Sequence, residues 1–132
     1  MKKTERGSTA VETALVFPIV LLLTIGMMEY GKYFFDMYRY QQAVYSGARV
    51  GAMAEEENKA EAARAEAIRV LSSMGITGDA VPTINVNTGI ATGVKEKTAI
   101  QVSIVKAYTP MIGFDRLIMP DSIRVYASQL NY

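Results

Sequence analysis

The chain has 132 residues, half of them hydrophobic, with 14 basic and 13 acidic side chains for a net charge of +1. A balance so near neutrality provides no field to gather nucleic acid or an acidic substrate. The lack of cysteine and histidine excludes disulfides, thiolate chemistry, Ser-His-Asp or Cys-His catalysis, imidazole metal sites and histidine pH switches, and it fits a reducing compartment or a periplasm whose proteins do without bridges.

The first element is an apolar helix. No charged side chain occurs from Thr13 to Met28, and at 1.5 Å per residue that run covers roughly 24 Å, a little short of a hydrocarbon core of about 30 Å. Glu12 therefore falls at the membrane boundary. Lys2, Lys3 and Arg6 outweigh Glu5, which by the positive-inside rule keeps the N-terminus in the cytoplasm and sends everything after Met28 outward. Three architectures fit. A cleaved signal peptide would have to use Thr24 and Gly26 as its small pair, directly before Met27, Met28 and a dense aromatic tract. A plain signal anchor asks nothing of Gly7 or Glu12.

The third uses both residues. "RGSTAVETALVFPIVLLLTIGMMEYG" followed by "YQQAVYSGARVGA" resembles the TadE-like pseudopilins of tight-adherence (Flp) pilus systems, within the type IV pilin superfamily, over about the first two fifths of the chain. The resemblance implies a short basic leader cut by a membrane prepilin peptidase between Gly7 and Ser8, with Glu12 as the glutamate at mature position five, used for docking in assembly. Thr13 stands where such pilins often carry an aromatic residue. Physically, a carboxylate costs about 2.5–3.5 kcal/mol at a bilayer centre and less at its edge, so it is usually partnered. The α-ammonium that the cut exposes at Ser8 is one such partner. Pro18, within the span, removes a helix donor and favours a bent stem.

The helical period continues past the membrane through Met27, Tyr30, Phe34, Met37, Gln41, Val44, Tyr45 and Ala48. Glu29 and Lys32 are spaced to pair across one turn. The aromatic tract from Tyr30 to Tyr45 reads as an interfacial belt with core packing, or as rings stacking between subunits. "SGARVGA" adds a small-residue face at Gly47 and Gly51 against which the head or a neighbour packs; the family resemblance marks Arg49. Pro18, Tyr30, Phe34, Gly47, Arg49 and Gly51 are thus the candidate stem-packing residues.

A second helix is expected after Asn58, with Asn58 and Glu61 as a capping box and Gly75 as its stop. Its inner stripe is Ala60, Ala63, Ala67, Val70, Leu71 and Met74, and Glu55–Lys59, Glu61–Arg64 and Glu66–Arg69 are its surface pairs. Beyond Gly78 the period becomes two, around Ile84–Val86, Ile100–Ile104 and Ile123–Ala127. Three strands joined by "TGIATGVKE" and "TPMIGFDRLIMP" make a small antiparallel sheet with one face on helix. The second connection is unusually apolar, which makes Met111, Ile112, Phe114 and Leu117 candidate head contacts with the sheet or with a partner.

No catalytic constellation emerges. Asp79, Glu96, Asp115 and Asp121 are scattered, "TGIATG" lacks both the dinucleotide fingerprint and the P-loop lysine, and calcium at Asp79 or Asp121 lacks a known loop spacing. The expected fold is α+β: a leader (1–7), a membrane-spanning helix (8–28), a helical stem extension (29–54) and a periplasmic head (55–132) of one helix on three strands. The expected function, from the resemblance, is a non-enzymatic pseudopilin or minor pilin in adhesive pilus assembly, without cofactor, metal or small-molecule substrate. Its partners would be the bacterial inner membrane, the prepilin peptidase, other pilins and the assembly machinery. The alternative is a signal-anchored periplasmic binding module or enzyme that enters no filament.

Overall fold

The computed structural model describes residues 4–91, 98–110 and 120–130, with side chains for 10–90, 99–110 and 120–130. The expected α+β architecture is present. A 50-residue helix α1 (Thr4–Met53) is followed by a 3-10 turn (Glu56–Asn58), helix α2 (Lys59–Ser73), a second 3-10 turn (Gly78–Ala80) and strands β1 (Thr83–Ala91), β2 (Thr98–Ala107) and β3 (Ser122–Leu130). The sheet is antiparallel in the order β1-β2-β3.

Helix α1 continues unbroken through Pro18, which leaves the Ala14 carbonyl without its usual donor. Its upper half lies antiparallel to α2, and both helices cover one sheet face, α1 over β2 and β3 and α2 over β1. Period two supplies that face: Ile84 opposes Ile104, and Val102 stands between Val86 and Ala127. Ile84, Ile100, Val102, Ile104, Ile123, Val125 and Ala127 are buried against Ala43, Val44, Ala48 and Ala52 of α1 and Ala63, Ala67 and Leu71 of α2. The other sheet face, with Asn85, Asn87, Arg124 and Ser128, is exposed.

Three details differ from expectation. The capping box does not form: Asn58 is at φ −111°, ψ 0° with no side-chain cap, because the preceding 3-10 turn already winds into the helix and takes the chain out of the extended geometry that an N-cap needs. Glu61–Arg64 is not among the ion pairs of the described residues, and Lys59 pairs with Glu56 instead of Glu55, while Glu66–Arg69 forms at 2.7 Å. Strand β1 continues into the expected connection as far as Ala91 because the pairing register shifts between Asn87 and Ile90. The Gly89 N–H there donates to Asn87 Oδ1 at 3.2 Å, a local bulge that lets pairing resume.

Gly75 ends α2 as expected. At φ +81° it gives its N–H to Ser72 O at 3.0 Å while Ile76 N–H reaches Leu71 O at 3.0 Å, the paired bonds of a Schellman stop, with buried Ile76 beside buried Leu71. The Arg39 guanidinium of α1 donates to the Met74 carbonyl, placing a cation at the negative end of α2.

Candidate functional site

Helix α1 carries three zones. In the lowest, Gly7 and Ser8 lie within its first turns, and Glu12, Thr13, Val16, Phe17 and Val20 line a shallow groove on one side. The Glu12 carboxylate forms no ion pair with a described residue. Pro18 lies in the same stretch, where Val11, Leu15, Val16, Phe17, Ile19 and Val20 are all exposed. This part of α1 is long and apolar enough to cross a membrane, and none of its most apolar window is buried inside the protein.

The middle zone is the neck. Lys32 pairs with Asp36 at 3.4 Å, and Arg39 reaches Asp36 at 3.6 Å. Glu29 receives the Tyr108 hydroxyl at 2.6 Å and is 4 % exposed. The i,i+3 spacing of Glu29 and Lys32 therefore concealed a long-range partner for the acid and an i+4 partner for the base. Tyr30 and Phe34 stack on each other at 6.4 Å and remain exposed, whereas Tyr33 turns inward to meet the Tyr108 ring at 5.2 Å.

The upper zone packs the head. A Cβ on Gly47 would lie 2.7 Å from the Ala63 carbonyl oxygen, and one on Gly51 would lie 2.7 Å from Ala63 Cβ and 3.0 Å from the Lys59 carbonyl oxygen. The small-residue face is thus filled by α2 of the same chain. Of the residues recurring at three- and four-residue spacing, Val44 and Ala48 face inward while Met27, Phe34 and Tyr45 point outward, and the buried stripe is Tyr40, Ala43, Val44, Gly47, Ala48, Gly51 and Ala52. Two helices this close leave room only for hydrogen and methyl side chains, so the large residues occupy the free face. Arg49 is exposed.

Ser46 and Glu66 tie the two helices at 2.8 Å, and Arg69 grips the same carboxylate. Those two donors, led by Arg69, hold the Glu66 carboxyl down at about 2 against an ordinary 4.5. Its folded pKa is the lower one, so the stabilisation is complete above about 4.5 and is lost as pH falls from there toward 2. The expected result is that Glu66→Gln lowers stability at pH 7 by about 1 kcal/mol. The gap to the parent should close in melts at pH 2–3; a pH-independent gap would contradict this role.

Met111, Ile112, Phe114 and Leu117 lie outside the described residues. Among those described, no group of three or more acidic side chains comes together to hold a metal. Sequence reasoning missed Tyr108, Arg39 and Ser46. For Tyr108 a signal existed, since Glu29 is the first charge after the apolar run and an acid there needs cover.

No curated protein and no solved structure matches the chain. Residues 7–49 match the family described as TadE-like protein, a stretch that opens at Gly7, contains Glu12 and closes on the Gly-Ala-Arg residues 47–49. The expected resemblance of this chain to TadE-like proteins is therefore found along its stem helix, from the base through the neck and into the part that packs the head.

Proposed function

We propose that the chain is a pseudopilin or minor pilin of a tight-adherence pilus, cut between Gly7 and Ser8 and held in the inner membrane with its head in the periplasm until assembly. The observation that carries this reading is the family match over residues 7–49, laid along a helix whose lower half is apolar and uncovered. Such a surface suits lipid before assembly and other stems afterwards, which is the exchange that a filament subunit makes.

Cutting after Gly7 places an ammonium at Ser8, four residues and about 6 Å of helix rise from Glu12. In a bundle of stems that cation neutralises the acid of its own chain or of a neighbour, and a pair with a neighbour fixes axial register because only one stagger brings the two stems' charges together. The exposed Tyr30, Phe34, Tyr38 and Tyr45 continue the contact face above the membrane. The prepilin peptidase, other pilins and the assembly machinery are the partners in this account.

The test is intact mass and N-terminal sequencing of membrane protein produced with and without a prepilin peptidase. A chain beginning at Ser8 only with the peptidase supports the proposal. A chain that stays uncut in both, or one that begins near Met27, overturns it.

A further inference from the structure

The head packs along the upper half of α1, and its lowest hydrogen bond to the stem among the described residues, from Tyr108 to Glu29, falls at the end of the apolar run. Glu29 is the first charged side chain after Met28, and its carboxylate is covered by Tyr108, whose hydroxyl lies 2.6 Å away. Lys32 Nζ sits 4.7 Å from the centre of the same ring and donates to Thr109 O at 3.5 Å. Tyr33 closes on the ring edge-to-face. Tyr108 in turn extends the β2–β3 ladder through its N–H to Asp121 O at 3.0 Å. The sheet is therefore fastened to α1 one residue beyond the apolar stretch, with no free stalk between.

The length of the stretch sets the depth of that joint. Sixteen residues rise about 24 Å against a core of about 30 Å, with a polar layer of roughly 5–7 Å on each side. A short span is accommodated by a thinner bilayer or by flanking residues drawn inward. Either response puts residues 29–34, about 1.5–9 Å beyond Met28, in the headgroup layer. Their chemistry fits that layer: Tyr30 and Phe34 expose aromatic rings, Lys32 supplies a cation, and the one acid is shielded by a phenol. A carboxylate standing in water on a free stalk needs no such cover; one held where water is scarce does. The acidic Glu55–Glu57 is exposed at the other end of the head, about 39 Å along the axis of α1 by helix rise.

We propose that the neck end of the head, Tyr108 and Thr109 together with Tyr30, Lys32 and Phe34, is a membrane-contact surface seated in the phospholipid headgroup layer, with the Glu29–Tyr108 clasp setting its depth. The proposal rests on residues 13–28 spanning the bilayer, and it means that entry into a filament must first lift this surface out of the lipid headgroups.

The chain has no cysteine, so single substitutions report position cleanly. Full-length protein in phosphatidylcholine–phosphatidylglycerol vesicles carries an environment-sensitive fluorophore at T109C, at F34C, at E57C or at V20C, with nitroxide lipids labelled at the headgroup or deep in the chain as quenchers. The headgroup nitroxide is expected to quench the probes at 109 and 34 at least about threefold more than the probe at 57, as a polar layer only a few ångströms thick requires. Equal quenching at 109 and 57 overturns the seat. Failure of the deep nitroxide to quench the probe at 20 instead overturns the membrane span itself, so the two failures are distinct.

Discussion

Gly51→Val is expected to destabilise the head strongly while leaving the membrane stem inserted. The first carbon of the new side chain would stand 2.7 Å from Ala63 Cβ, 2.5 Å from Ile100 Cδ1 and 3.0 Å from the Lys59 carbonyl oxygen. The isoleucine tip can rotate away, but the other two atoms belong to the packed α2 helix, so α1 and α2 must separate. Overpacking of a tight core costs about 1–3 kcal/mol for extra methylenes. Here a whole branched side chain enters a seam built for a hydrogen atom, and about 3 kcal/mol or more is expected, a large share of the 5–15 kcal/mol that holds ordinary domains. Thermal melts followed by circular dichroism on the full chain in detergent measure it. The internal control is Gly31→Ala on the same helix. A Cβ there meets nothing within 4 Å, and alanine in a helix interior is better than glycine by roughly 1 kcal/mol, so stability should hold or rise. A Gly51→Val chain melting with the parent would show that the seam is not closed.

Glu12→Ala should do the opposite: a normal melt, normal insertion, and few or no pili. The side chain lies far down α1 from the head core, so its loss leaves the head intact, and removing a carboxylate makes insertion cheaper, by at most about 2.5–3.5 kcal/mol. On the function proposed above, assembly suffers because the ammonium that cleavage would expose at Ser8 is then left among neighbouring stems without its counter-charge. Breaking a buried ion pair costs about 3–5 kcal/mol, which leaves ample margin for a drop of at least tenfold in surface pili counted by electron microscopy. Glu12→Gln, which keeps the shape and removes the charge, should fail equally. Undiminished piliation in either variant would end the docking role.

Much of the layout was legible because it rests on local signals. The uncharged run Thr13–Met28, the change of period after Gly78 and the glycine at 75 each report on the backbone through nearest neighbours: hydropathy along one helix face, alternation across a pleat, and a left-handed stop. The TadE-like stretch was legible for the same reason, being contiguous. The end of β1 was harder, since the irregularity between Asn87 and Ile90 that carries the strand to Ala91 depends on which residues oppose it in β2.

The sequence alone determined the elements, their order, the hydrophobic span and the small-residue character of "SGARVGA". Only the tertiary structure decided which face of α1 is the inside. Periodicity carried Met27, Phe34 and Tyr45 in the same three- and four-residue series as Val44 and Ala48 without separating them, whereas the seam with α2 is won by close approach, where glycine and alanine fit and large rings do not. It also decided that Glu29 belongs with Tyr108, 79 residues away, a partnership that no spacing along one helix can announce because the sheet has to fold before the two residues meet.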